Sequence, residues 1–231
     1  DLALSLASRL GLSGADDIYT AKFNTLMSSN DIAGAAKLAA NSPNGILRSV
    51  DTIRRFQQVQ GQPGQPQPVF QYFSMLLENG KLNKMESYEL AGPVIQQGRT
   101  QMLEKWIGED KLTHSEELGD LLAKSDINLA LTVYLRANVP EKAIKCMLQK
   151  GDFDKIPAYA SKVGYNCDYS YMLQNLVRSN PQGAVEFAKK LNGNPSGQLL
   201  DTNSILEVFM SCNLLKESTS FLLEALKGDR L

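Results

Sequence analysis

The chain has 231 residues, of which 43% are hydrophobic and 21% charged, enough for one or two ordinary domains. These proportions exclude intrinsic disorder and collagen-like or mucin-like composition for most of the length. Lys and Arg total 24 against 25 Asp and Glu, leaving a formal net charge of -1, which provides no electrostatic pull toward nucleic acid or an anionic membrane surface.

The apolar set is dominated by helix formers, with Leu 33 and Ala 19 against Val 10 and Ile 10, and no stretch alternates apolar with polar residues. The expected fold class is all-α. In chain order, Ile18, Ala21 and Leu26 suggest a first helix, and Ile32, Ala35, Ala36 and Ala39 a second whose small residues allow close backbone approach. Residues Gln57 to Pro68 alternate Gln with Pro and Gly and read as an extended, solvated loop. Helical patterning resumes at Phe70, Phe73, Leu76 and Leu77, pauses at Ala91-Gly92-Pro93, and returns through Met102, Leu103, Trp106 and Ile107. Thr113-x-x-Glu116 has the spacing of a capping box ahead of Leu118, Leu121 and Leu122.

Beyond residue 125 the stripes are more regular. Ile127, Ala130, Leu131, Tyr134 and Leu135 line one helix, with Leu129 and Val133 off its main face, so it is expected to touch helices on two sides. Asn138 and Pro140 then read as the cap and first turn of a helix carrying Ala143, Ile144, Met147 and Leu148. Tyr169, Met172, Leu173, Leu176 and Val177 mark the next. Ala184, Phe187, Ala188 and Leu191 follow Asn180-Pro181, and Ile205, Val208, Phe209 and Cys212 precede Phe221, Leu222, Ala225 and Leu226. Helices this short are marginal alone and gain stability by burying a stripe against a neighbour, which predicts a stack.

Chemistry-bearing residues are few. His114 is the sole histidine, too little for a recognisable metal site, and His114-Ser115 reads as a helix start rather than base and nucleophile. Glu116 and Glu117 sit where a helix dipole favours carboxylates. Gly11-x-x-Gly14 and Gly61-x-x-Gly64 lack the context of phosphate loops, and Arg54-Arg55 beside Phe56 reads as a solvated face with local ion pairs. Trp106, Tyr134, Tyr169 and Tyr171 are expected in the core. Cys146, Cys167 and Cys212 are too few and too far apart for a disulfide framework, which fits a reducing cytosol. Asn194-Pro195-Ser196 is blocked as a glycosylation site by its proline. No apolar run reaches the ~18 residues of a membrane helix and no signal peptide opens the chain. A start at Asp1 without Met suggests a piece of something larger. No catalytic residue, cofactor or metal is expected.

The segments Gly45-Ile-Leu-Arg48, Asp51-Thr-Ile-Arg-Arg-Phe56, Gln71-Tyr72-Phe73, Leu82-Asn83-Lys84, Glu104-Lys105-Trp106, Glu109-Asp110-Lys111-Leu112 and Ser115-Glu-Glu-Leu-Gly-Asp120 resemble the clathrin heavy-chain family. Val133-Tyr-Leu-Arg-Ala-Asn-Val-Pro140, Lys162-Val-Gly-Tyr165 and Phe221-Leu-Leu-Glu-Ala-Leu-Lys227 continue the likeness in the same order. The resemblance implies an elongated right-handed alpha-alpha zigzag solenoid: residues 1–124 as the helical linker after an absent N-terminal propeller, and 125–231 as the ankle and first leg repeat. It implies a structural, non-enzymatic role on the cytoplasmic face of coated pits and coated vesicles, in endocytosis and trans-Golgi traffic. The implied partners are other heavy-chain legs, with uncoating or accessory factors at the ankle; no nucleic acid and no membrane insertion are implied. Light-chain binding, adaptor-peptide binding and trimerisation belong to parts absent here, so the isolated chain is expected to be a monomer. The alternative is a helical-repeat protein-binding module of another coat or tethering complex. The Gln/Pro loop 57–68 has no functional reading.

Overall fold

The structure, a computed structural model, describes residues 15–61, 64–195 and 197–228. Among them it is all-helical, with no strand. The helices are α1 (Ala15–Ser28), α2 (Ile32–Ala40), α3 (Val50–Gln58), α4 (Pro68–Asn79), α5 (Lys84–Gln96), α6 (Thr100–Gly108), α7 (Glu116–Leu122), α8 (Ile127–Arg136), α9 (Pro140–Lys150), α10 (Lys155–Val163), α11 (Tyr169–Ser179), α12 (Pro181–Asn192), α13 (Thr202–Ser211) and α14 (Leu215–Gly228). A short 3-10 turn, Pro43–Gly45, lies between α2 and α3. The chain divides between Ser125 and Asp126 into two compact units.

In the first unit the substantial packings are α1 on α2, α2 on α4, α3 on α4 and α5, and α5 on α6 and α7. In the second they are α8 on α9, α9 on α10, α11 on α12 and α13, and α14 on α12 and α13. Every one of these joins helices one or two places apart in the chain, the pattern of a helical array stabilised by near neighbours. The first core is aromatic: Phe23 meets Phe56 edge-on at 5.8 Å, Phe56 stacks on Tyr72 at 4.7 Å, and Tyr72 touches Phe73. Ala35, Ala36 and Ala39 are buried on α2, and their small size lets that helix approach α4 closely. The second core holds Phe153 against Phe187 and Phe209 against Phe221, at 5.3 Å and 6.4 Å.

Several expectations from the sequence change here. The first helix buries Tyr19 and Phe23 instead of Ile18 and Ala21; Ile18 is 51% exposed. Helices α3 and α10 carry too few buried apolar residues to show a stripe: Ile53 and Phe56 in one, Ile156 and Ala160 in the other. Pro157 sits in the first turn of α10, where a missing N–H breaks no intrahelical bond. The Gln/Pro loop is shorter than expected, because Gln57 and Gln58 finish α3 and Pro68 opens α4.

No break occurs at Ala91-Gly92-Pro93, since α5 runs through Pro93. Leu90, Ala91 and Val94 are buried around it, and that burial outweighs the ~3 kcal/mol an internal proline typically costs. Asn138 is not a cap: it takes a left-handed φ of 55° after α8, and α9 starts from Val139 with Pro140 in its first turn. The cap of α7 is Ser115, whose hydroxyl accepts the Leu118 N–H at 3.2 Å, while Thr113 is turned toward Leu82. On α8, Leu129 and Val133 are buried and Leu135 is exposed, and its one substantial packing among the described residues is on α9.

Candidate functional site

The most densely bonded place in the first unit is a polar clamp between the α2–α3 connection and the start of α5. Arg48 donates through Nε to Glu86 Oε1 at 2.8 Å and through Nη2 to Glu86 Oε2 at 2.5 Å, a two-pronged pair. Nη2 also donates to the Lys81 carbonyl at 3.0 Å. The Glu86 side chain is 0% exposed and that of Arg48 25%. Glu86 lies there because it closes a capping box: its Oε2 accepts the Asn83 N–H at 2.8 Å, and Asn83 Oδ1 accepts the Glu86 N–H at 2.9 Å. The hydrogen bond to Glu86 holds the Arg48 guanidinium above its ordinary pKa despite burial.

The α6–α7 connection is tied to the same place. The Leu82 N–H donates to the Lys111 carbonyl at 2.8 Å, and Thr113 Oγ1 donates to the Leu82 carbonyl at 2.6 Å. The Thr113 N–H donates to Ser87 Oγ at 2.9 Å, and Lys111 Nζ donates to the Leu77 carbonyl at 2.9 Å. Three connections are thus fixed by one group of bonds. Beside them the Tyr72 hydroxyl is buried with no hydrogen-bond partner among the described residues, and burial, reinforced by Glu86, pushes its pKa up. The clamp holds helices in place, its polar side chains bonded to connections from three points of the chain.

Surface clefts lie in both units. One, of about 380 Å³, lies among α4, α5 and α6, with Phe70, Leu77 and Trp106 in its walls. The other, of about 720 Å³, runs between α9 and α11 in the second unit, over Ile144, Leu148, Met172 and Leu176.

The Clathrin-H-link family matches residues 11–76. Over 230 residues, all of this chain, the sequence is 48% identical to clathrin heavy chain 2 of Homo sapiens, and over 231 residues it is 49% identical to the clathrin heavy chain of Drosophila melanogaster. The Dictyostelium discoideum clathrin heavy chain is 44% identical over 230 residues. The chain belongs to the clathrin heavy-chain family. It spans 14% of the length of each of these heavy chains.

In this clathrin heavy-chain segment the residues singled out from the sequence do not converge. His114, its side chain 8% exposed, has Nδ1 3.7 Å from Asp110 Oδ1. Glu116 and Glu117 open α7, and Lys84 Nζ at 2.8 Å holds the Glu117 carboxyl below its usual range. Arg54 is 3.8 Å from Asp51, and Arg55 lies over the Phe23 ring at 4.9 Å and bonds Asn24 Oδ1. Tyr134 is in the core, Trp106 and Tyr169 are half-buried, and Tyr171 is exposed, contrary to expectation. Gly11-x-x-Gly14 lies outside the described residues, as do Gln62, Pro63 and Ser196. Among the described residues no three His, Cys, Asp or Glu side chains group for a metal, and no helix is long and apolar enough to cross a membrane. The Arg48–Glu86 clamp was missed from sequence, although Asn83-x-x-Glu86 has the spacing of the box that positions its carboxylate.

Proposed function

We propose that this chain is a structural spacer in the leg of the clathrin coat, serving coated-vesicle formation in endocytosis and trans-Golgi traffic. In this reading residues 1–124 form the helical linker and residues 125–231 the ankle and first leg repeat. The role is mechanical and non-enzymatic, and it is exercised at the cytoplasmic face of coated pits. The observation that carries the reading is the identity of 44% to 49% along the whole chain to heavy chains. The near-neighbour packing within each unit supports it, since such arrays hold surfaces at fixed spacing without a central active site. The partners are other heavy-chain legs, with accessory or uncoating factors at residues 125–231. Weak contacts repeated along many legs suffice to build a lattice by multivalency.

Deleting residues 126–231 from a full-length heavy chain tests this. Cage assembly, counted by electron microscopy, is expected to fail while capture of adaptor peptides is unchanged. Normal cages with lost peptide capture would overturn the spacer reading in favour of a peptide-binding module.

A further inference from the structure

Asn-Gly is open to self-modification, because glycine has no side chain to shield its backbone nitrogen from the preceding carboxamide. The sequence contains Asn44-Gly45, Asn79-Gly80 and Asn192-Gly193. Reaction requires the Asn to turn about its own Cα–C bond until the glycine nitrogen faces Cγ. Whatever holds that stretch of backbone, or the carboxamide itself, therefore sets the rate.

Two of these pairs are held. Asn192 ends α12 beside the fully buried Leu191, and the Gly193 N–H closes the last turn onto the Lys189 carbonyl at 2.9 Å. Asn192 Oδ1 accepts from both Gln198 Nε2 and Thr202 Oγ1. Asn79 ends α4, with the Gly80 N–H on the Leu76 carbonyl at 3.0 Å. The clamp pins the chain on either side of it: Lys111 Nζ donates to the Leu77 carbonyl, Arg48 Nη2 to the Lys81 carbonyl, and the Leu82 N–H to the Lys111 carbonyl.

Asn44 is held by much less. It lies in the short turn Pro43–Gly45, outside any α-helix, with its side chain exposed and without a hydrogen bond among the described residues. Asn44 and Gly45 take successive left-handed φ values of 52° and 69°, a conformation that costs an Asn more than a Gly. The Gly45 N–H reaches the Ser42 carbonyl at 3.2 Å, in a 3-10 bond of poorer geometry than those closing α4 and α12.

We propose that Asn44-Gly45 is a site of spontaneous succinimide formation, and that its isoaspartyl product loosens the Arg48–Glu86 clamp. The Gly45 backbone nitrogen bonds to Asn44 Cγ and gives up its proton; the Cγ–Nδ2 bond breaks, and the carboxamide nitrogen leaves with that proton as ammonia. Water then opens the ring at either carbonyl. One opening leaves Asp at position 44, and the other an isoaspartyl link in which the main chain runs through the side chain. That link adds a methylene to the backbone of the turn that places Arg48, where the Arg48 N–H donates to the Gly45 carbonyl at 2.8 Å and the Leu47 N–H to Ser42 Oγ at 3.2 Å. A displaced Arg48 loses the two-pronged geometry of its pair with Glu86.

The test ages the 231-residue chain in warm, mildly alkaline buffer, folded and in parallel in guanidinium chloride, and follows amide-to-acid conversion in tryptic peptides by mass spectrometry. In the folded chain the 38–48 peptide is expected to convert about ten-fold faster than the peptides holding Asn79 and Asn192, since a retained hydrogen bond slows opening by up to about that factor. In guanidinium chloride the three should convert at similar rates. Fragment ions should place the change at Asn44 and not at Asn41, whose Nδ2 donates to the Lys37 carbonyl at 2.8 Å. Aged protein should accept a methyl group from S-adenosylmethionine under isoaspartyl methyltransferase, and the urea midpoint of the first unit should fall in step with isoaspartyl content. Asn44→Asp, which brings the charge without the methylene, should keep the midpoint of fresh protein. Equal rates in the folded chain, faster conversion at Asn79 or Asn192, an unmoved midpoint in isoaspartyl-bearing protein, or a fall of the same size in Asn44→Asp would each overturn the proposal.

Discussion

At the scale of single residues, the Arg48–Glu86 pair and Tyr72 make opposite predictions although they lie side by side. Removing one partner of a buried, doubly bonded ion pair strands the other charge, so Arg48→Ala or Glu86→Ala should cost about 3–5 kcal/mol in urea denaturation. Glu86→Ala loses in addition the acceptor for the Asn83 N–H. Tyr72→Phe deletes a hydroxyl that is buried without a partner, and it should stabilise the first unit by about 1 kcal/mol at neutral pH. The same residue governs alkaline behaviour. Burial raises the folded pKa of both Tyr72 and Tyr169, the latter to about 12, while unfolded tyrosine titrates near pH 10. The folded chain then keeps protons that the unfolded chain releases. The contribution is complete below about pH 10 and is lost as pH climbs through the folded values. Melting temperatures should fall between about pH 10 and pH 12, and less steeply in Tyr72→Phe; an identical slope would show that Tyr72 is not among the titrating groups.

At the scale of elements, α2 and α12 begin with the same device in different units. Asp31 Oδ1 accepts the Gly34 N–H, and Asn180 Oδ1 accepts the Gly183 N–H, each at 2.9 Å. A Cβ on either glycine would lie 2.3 Å or 2.4 Å from the capping side chain, so that side chain would have to leave. Gly183→Ala should thus be close to neutral, its gain in helix propensity of about 1 kcal/mol offsetting a cap worth about the same. Made on Asn180→Ala, the same change should stabilise by about 1 kcal/mol, and a thermal-melt mutant cycle reads the difference.

Much of this was legible in the sequence at this scale. Helices with full stripes, such as α9, α11 and α12, were visible because several buried apolar residues recur at the helical period. Helices α3 and α10, with two large or small apolar residues each to bury, were not. Pro93 misled because a local rule was outweighed by the packing of Leu90 and Val94. The clamp was hidden for another reason: Arg48 and Glu86 are 38 positions apart, and no local period reports such a pairing.

At the scale of the whole molecule, each unit holds its own core, aromatic stacking in the first and the paired phenylalanines of the second. Residues 126–231 expressed alone should therefore unfold cooperatively, with helical circular dichroism close to that of the same residues in the full chain. A flat, non-cooperative melt would mean that the second unit depends on residues before 126. Within such arrays a local loss stays near its source, because the substantial packings among the described residues join helices one or two places apart. The clamp variants should accordingly destabilise the first unit and leave the second unit's own transition unmoved.

Several helix ends among the described residues are closed by groups no more than a few positions away: Asp31, Ser115, Asp126, Asp168, Asn180 and Asp201 at the starts, and the left-handed Gly151 and Gly164 at two of the finishes. Punctuation written that locally travels with the helix it serves. A tandem copying of one hairpin would arrive with its starts and stops already spelled, needing only a matching apolar stripe to join the row, and so a helical array can grow by repetition without rewriting its grammar.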